Sequence, residues 1–372
     1  MTWRANEPYN GLRSLPPAIE VEPREVLKAT IEARAALASL DQAARRITNP
    51  AVLINSIPLL EAQASSEIEN IVTTTDELFR FAQDEAAATN PATKETLSYR
   101  SALFAGVRLI RSRPLSVTTA AEICAIVKNR EMPIRRLPGT FIGNPVTKVA
   151  IYTPPVGEAR IREKLSDWER FIHARDGTDP LVVMALAHYQ FEAIHPFEDG
   201  NGRTGRILNV LMLMGAGLID QPILYLSRYI IENKDEYYRL LLAVTRDGAW
   251  TDWILFVIEG IRQTAASTVI KIDQIQALQD TTLGKIREAT GGANADLLAV
   301  LFEQPYCRMS NVIERCGVSR PTATNWLNAL VGAGVLVDVR RGRERIFMNT
   351  ALLDLLVRSD SALIAESEPT LF

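Results

Sequence analysis

Cysteine is scarce in this chain of 372 residues: Cys124, Cys307 and Cys316 form no CxxC pair and cannot all be cross-linked. That excludes a disulfide-built scaffold, gives no basis for a structural zinc site, and makes a reduced, cytoplasmic setting the expectation. No run approaches about eighteen uninterrupted apolar residues, and the N-terminal MTWRANEPYNGLRSLPPAIEVEPRE lacks an apolar signal core, so no membrane partner is expected. Charge of one sign is missing too. A formal net charge of -3 gives no general affinity for nucleic acid, leaving room only for a local basic patch. What is plentiful is apolar residue, 47% of the chain, enough for a sizeable core and, at this length, for two or three domains.

The periodicity predicts a mainly α protein. Apolar residues recur at helical spacing, among good helix formers, over 23–45, 51–70, 74–87, 94–111, 117–129, 158–175, 179–193, 201–216, 232–246 and 250–278. The exception is GTFIGNPVTKVAIYTPP at 139–155, where β-branched and aromatic residues flank a Gly143-Asn144-Pro145 turn, the pattern of a short hairpin. A domain boundary is expected around 285–295, near Gly291-Gly292. There is no internal repeat.

One stretch concentrates unusual residues: HPFEDGNGRTGR, 195–206. The apolar helix before it must end at His195-Pro196, because proline disfavours helical geometry in the preceding residue and has no N–H. Helix resumes with RTGRILNVLMLMG, so Asp199-Gly200-Asn201-Gly202 is a loop feeding a helix N-terminus, where free N–H groups and the helix dipole favour an anion such as phosphate. Arg203 and Arg206, three apart, are expected to project together over that anion. Asp199 at the loop mouth suits Mg2+ shared with phosphate oxygens, whereas Glu198 is read as surface. His195 can exchange a proton near neutral pH and suits a general base for an incoming hydroxyl.

Together these residues resemble the signature of the Fic family, His-x-Phe-x-Asp/Glu-Gly-Asn-Gly-Arg-x-x-Arg. His195, Phe197, Asp199, Gly200, Asn201, Gly202, Arg203 and Arg206 meet every defined position, and the likeness extends over roughly residues 50–260. The resemblance implies transfer of AMP from ATP to a Ser, Thr or Tyr hydroxyl of a target protein, with release of pyrophosphate. It implies His195 as base, Asp199 as Mg2+ ligand, the Gly200, Asn201 and Gly202 amides as phosphate cradle and Arg203 and Arg206 as triphosphate clamp. Phe197 would anchor the loop. The hairpin resembles the family's flap, so Gly143, Val146, Thr147, Lys148, Val149, Ala150 and Ile151 are expected to register a target segment by strand addition. SRYIIENKDEYYRLL, 227–241, resembles the segment bordering the adenine, making Asn233 and Tyr237 candidate base contacts, with an ordinary helix start and core tyrosines as the alternative.

SSEIEN at 65–70 resembles the family's inhibitory pattern through Ser65, Glu69 and Asn70. The resemblance implies that Glu69 pairs with Arg206, occupies the fork that the γ-phosphate needs and holds the enzyme inactive. In some family members the same glutamate orients water for removal of AMP, so the reverse activity stays open. By residues alone the hexapeptide reads as a helix end with solvated acids and Asn70 as cap. A homodimer is plausible for the family. The expected organisation is 1–115 as an N-terminal helical region with the inhibitory motif, 116–285 as the catalytic core with flap, and 295–372 as a C-terminal unit.

That last unit reads as three helices, 297–304, 309–317 and 319–334, followed by a hairpin over 335–349, a pattern that resembles a winged helix-turn-helix. Ser319, Arg320, Thr322, Thr324 and Asn325 would then face a DNA major groove, with Arg340, Arg341, Arg343 and Arg345 as a basic wing. Such domains also serve protein contacts, so both partners stay open. Two readings of the whole chain compete with an ATP-dependent adenylyltransferase: a DNA-bound regulator with a nucleotide-sensing core, and Fic chemistry with another nucleotide donor.

Overall fold

A computed structural model describes residues 3–47, 49–82, 84–144, 149–174, 176–291, 295–341 and 344–358. The chain is mainly helical, with two small antiparallel sheets among the described residues. Helices α1 (Arg24–Arg46) and α2 (Ala51–Ile68) are followed by the short α3 (Thr75–Phe81), then by α4 (Pro91–Ser112) and α5 (Val117–Lys128). A hairpin of β1 (Ile142–Asn144) and β2 (Val149–Tyr152) interrupts the helices before α6 (Glu158–Ile172), α7 (Pro180–Ile194) and α8 (Asn201–Gly215). Next come α9 (Leu226–Glu232), α10 (Lys234–Asp247) and α11 (Trp250–Thr290).

Helix starts are written locally. Proline opens α4 and α7, and the preceding Asn90 and Asp179 side chains accept from the Ala92 and Leu181 N–H groups at 3.0 and 2.8 Å. Thirteen of the fifteen residues of α7 would be too apolar or too enclosed for a surface helix; it is buried on nearly every face and forms the centre of the core. Trp168 of α6 and Trp253 of α11 dock on it, their indole N–H groups donating to the Ala187 and Ala185 carbonyls at 2.9 and 2.8 Å. α11 is long and apolar enough, by length and composition, to cross a membrane, yet α1, α7 and α9 pack against it, as they would against the core helix of a folded domain.

α2 is anchored by a buried carboxylate. Glu61 accepts from the Tyr99 hydroxyl of α4 at 3.0 Å, from the Ser227 N–H of α9 at 2.9 Å and from the Ser227 hydroxyl. Burial pushes this carboxyl above its usual range, against those three donors. The far end of α2 carries Glu69 and Asn70.

Two expectations shift. α11 does not end near 278 but runs unbroken for 41 residues and closes at Gly291 in the left-handed conformation, φ +69, a position within the stretch 285–295 where the boundary was expected. The segment 279–290 is rich in helix formers and keeps burying apolar positions such as Ile286, so nothing stops it earlier. The helix expected over 74–87 ends at Phe81 and gives way to a 3-10 turn at Glu85–Ala87.

Beyond α11 the order is α12 (Ala295–Leu301), β3 (Tyr306–Arg308), α13 (Met309–Cys316), α14 (Arg320–Gly332), β4 (Val337–Arg341), β5 (Glu344–Met348) and α15 (Thr350–Val357). The hairpin β4–β5 is joined by β3, which periodicity missed because three residues are too few to alternate; the sheet order is β3-β5-β4. This unit leans on α2 and α3. Asn49 and Asn55 donate from their side-chain amides to the Ala299 and Glu303 carbonyls at 3.0 and 3.1 Å, and the Tyr306 hydroxyl donates to Asp76. Cys124, Cys307 and Cys316 are free and buried.

Tyr99→Phe removes one donor from a buried carboxylate, so urea unfolding is expected to show a loss of about 2 kcal/mol. A midpoint equal to that of the parent would mean that Glu61 does not anchor α2 through this bond.

Candidate active site

The loop between α7 and α8 is built from its own side chains. Asn201 accepts the Phe197 N–H at 2.9 Å and donates to the Phe197 carbonyl at 2.8 Å, a two-way lock that draws the buried Phe197 ring into the core. The Asn201 side chain thus serves the loop, and only its backbone lies at the α8 terminus. Gly200 caps α8 at φ +81, and a Cβ there would meet Lys128 Cγ at 3.1 Å and Cys124 Sγ at 3.2 Å. Glu198 is exposed, as read.

His195 closes α7 in the left-handed region, φ +48, its N–H donating to the Phe191 carbonyl at 3.0 Å. Burial, then the nearby Arg135 cation, pushes its ring down to about 4, so the imidazole is neutral in the resting state. Asp199 is half exposed, and Lys128 Nζ lies 2.7 Å from its carboxylate. Burial opposes its charge, but Lys128 and the Gly200 N–H outweigh that and hold it below the usual range.

The two motif arginines diverge instead of projecting together. Arg203 is 1% exposed and turns to α4, where it pairs with Glu95 at 2.8 Å; Glu95 also holds Lys128 at 2.6 Å. Arg206 turns to α2. Its Nε donates to Ser65 Oγ at 2.8 Å, and one terminal nitrogen donates to the Ser65 carbonyl at 2.9 Å and to Glu69 Oε1 at 2.8 Å. Burial opposes both charges, but each partner outweighs it for the other: Glu69 is held below the usual carboxylate range and Arg206 is raised. Asn70 follows at φ +61, and its N–H and that of Ile71 return to the Glu67 and Ser66 carbonyls, an ending that leaves Glu69 projecting from the last turn. Glu69 Oε1 sits 2.3 Å from where a Cβ on Gly202 would be, so it lies directly on the α8 N-terminus.

Behind the pair, Glu192 of α7 is enclosed with one oxygen unpartnered, and burial pushes it up to about 7. Tyr237 lies in the core behind the pair, near enough to act on Arg206. It is 2% exposed, bonds His188 Nε2 through its hydroxyl at 2.9 Å and lies among Trp253, Phe256 and Tyr238; the core alternative prevails because the apolar period of α10 turns it inward. Its neighbour Tyr238 is the accessible ring, 38% exposed. Asn233 is part-buried and joins α9 to α10, its amide donating to the Tyr229 carbonyl at 2.9 Å.

In the hairpin, Gly143 faces Ala150 and Asn144 faces Val149. Glycine is required at 143, since a Cβ would lie 2.2 Å from the Val149 carbonyl. Val149 and Ile151 are 60% and 51% exposed, whereas Ala150 is partly covered; Val146, Thr147 and Lys148 lie outside the described residues.

In the C-terminal unit, Arg320 and Asn325 are exposed on α14, and Thr322 lies beside the Ser319 cap. Arg345 is not a free wing cation: it bonds Asp338 at 2.8 Å and Asn328 at 2.6 Å and covers the Phe347 ring. Arg341 lies in β4, and Arg343 falls outside the described residues.

No group of three His, Cys, Asp or Glu able to hold a metal occurs among the described residues. Asp199, a half-exposed carboxylate at the loop mouth paired with Lys128, is the one motif oxygen donor that would suit a hard cation such as Mg2+. Lys128, Glu95, Arg135 and Glu192 are the site residues that motif reading missed; none carries a local signal, because each comes from a different element.

Comparison with known families assigns three consecutive parts of the chain. The Fic/DOC family N-terminal model matches residues 27–108, the Fic/DOC family model matches 115–213, and the model for the C-terminal domain of protein adenylyltransferase SoFic-like proteins matches 292–352. The chain belongs to the Fic/DOC family. Among relatives, protein adenylyltransferase fic-1 of Caenorhabditis briggsae is 36% identical over 89 residues, 23% of this chain and 16% of the relative. Protein adenylyltransferase Fic of Drosophila yakuba is 30% identical over 163 residues, 43% of this chain and 31% of the relative. The matched segments thus span less than a third of those Fic proteins. A crystal structure of a Fic family protein from Desulfovibrio desulfuricans G20 shares the fold, with a TM-score of 0.59 at 19% identity, over 91% of this chain and 98% of that one.

Gly200→Ala forces a side chain into a left-handed position against Lys128 and Cys124. Urea unfolding is expected to show a loss of about 2 kcal/mol, and an unchanged midpoint would mean that the Fic loop can take another path at this residue.

Proposed function

We propose that the protein transfers AMP from ATP to a Ser, Thr or Tyr hydroxyl of target proteins and of itself, and that Glu69 holds it inactive. The observation that carries this reading is the position of Glu69: its carboxylate pairs with Arg206 and lies on Gly202, the place where a helix N-terminus would receive phosphate. The family membership and the names of the relatives support the same chemistry.

In this mechanism the α8 N–H groups and Arg206 hold the triphosphate once Glu69 withdraws, and the neutral His195 ring takes the proton of the target hydroxyl. The hydroxyl oxygen bonds to the α-phosphorus as the bond to the pyrophosphate oxygen breaks, and pyrophosphate leaves. Asp199 would hold Mg2+, and that ion would supply charge neutralisation there. Arg203, enclosed against Glu95, supports the loop beneath the phosphates. The exposed residues Val149 and Ile151 on β2 support strand addition by the target, which depends on backbone bonds and tolerates varied sequences.

Incorporation of α-labelled AMP is expected to rise at least about tenfold in Glu69→Gly and to vanish when His195→Ala is added. No labelling by Glu69→Gly, alone or in a lysate, would overturn the reading and turn attention to another nucleotide donor.

The C-terminal unit carries a second proposal, duplex DNA binding in a winged-helix manner, supported by the exposed Arg320 and Asn325 on α14. Arg320→Ala is then expected to weaken duplex binding about tenfold at low salt, measured by fluorescence anisotropy. Equal binding by both proteins, or none by the parent, would sink it.

A further inference from the structure

Outside the motif, one buried cation ties its own segment to two others. Arg135 lies in the irregular stretch between α5 and β1 and is 2% exposed. Its Nε donates to the His195 carbonyl at 2.7 Å, and one terminal nitrogen donates to the Ile194 carbonyl at 3.1 Å and to the Pro155 carbonyl. Its backbone N–H donates to the Pro196 carbonyl at 2.9 Å. The Tyr152 hydroxyl, at the end of β2, donates to the Ala193 carbonyl at 2.9 Å. The carbonyls of 193, 194, 195 and 196, which a helix end leaves without helical partners, are therefore all held from the hairpin region. Between them sits His195 at φ +48, a conformation that favours glycine and that a histidine keeps only where its surroundings impose it.

We propose that Arg135 is a positioning residue for the catalytic step: it fixes His195 in its left-handed turn and ties that turn to the hairpin exit at Pro155. Base and target-presenting edge then keep one spacing. The proposal rests on the adenylyltransferase reading above, in which His195 takes the proton; Arg135 itself touches no reacting atom. Its charge acts in the same direction. After burial, Arg135 is the chief influence holding the His195 ring down to about 4, against Glu69 on α2, the Glu192 carbonyl on α7 and Asp199 in the loop, which raise it. A base must be neutral at the working pH, so a lowered value widens its range on the acid side.

Two substitutions in the Glu69→Gly background separate charge from geometry. His173, His188 and His195 are the chain's only histidines, so NMR titration can follow the His195 ring individually. Arg135→Gln is expected to move that titration from about 4 towards the ordinary value. The acid limb of the transfer rate should move up with it, and kcat should fall about 100-fold with KM for ATP within about twofold. Arg135→Lys keeps the charge but cannot bridge the carbonyls, so its ring should titrate as in the parent while kcat still falls at least about tenfold. A kcat in Arg135→Lys within about twofold of the parent overturns the proposal, as does an unmoved His195 titration in Arg135→Gln. If Arg135→Gln does not fold, Arg135→Lys decides alone. Absence of transfer by the Glu69→Gly parent is a different failure: it overturns the adenylyltransferase reading, and the ring titration still decides whether Arg135 governs His195.

Discussion

A guanidinium enclosed in a protein interior must find acceptors, and at Arg206 they come from another helix. Ser65 and Glu69 of α2 take its N–H groups, and the two charges offset the burial that opposes each. Removing either partner alone leaves a desolvated charge, so α2 and α8 stay together until something else satisfies Arg206. A polyphosphate has the needed oxygens. In the proposed function, the same contact would close the anion site and define what can open it.

The remaining architecture serves that contact. Glu61 fixes α2 against α4 and α9, the Asn201 lock and Phe197 fix the loop, and Arg135 with Tyr152 fixes the end of α7. Each joins a charged or polar group to backbone atoms that a helix end or loop leaves unpaired. Not every polar atom there is matched, since Glu192 Oε1 and His195 Nδ1 are buried without a partner, and Glu69, 35% exposed, sits at the open edge of the site.

The twelve-residue motif was legible because its signals are local: a proline after the histidine, glycines where the backbone turns, arginines one helical turn apart. The Glu69–Arg206 pair was legible only through resemblance, since 137 residues separate the partners. Where local signals ran out, expectation and structure part. Arg203 and Arg206 have the spacing of one face, but the acceptors that claim them lie on α4 and α2, and spacing cannot name an acceptor. Arg135 and Arg136 are adjacent and chemically identical, yet one is enclosed and the other pairs with Glu158 at the surface. Tyr237 and Tyr238 divide in the same way, one into the aromatic core and one to the surface.

α2 also has a mechanical character. Its far end carries Glu69, and its near end is stitched through Asn49 and Asn55 to the Ala299 and Glu303 carbonyls of the C-terminal unit. An 18-residue helix is a rod of about 27 Å. Glu61 holds it between those ends, so the carboxylate that covers Gly202 and the amides that hold the C-terminal unit are borne on one stretch of chain.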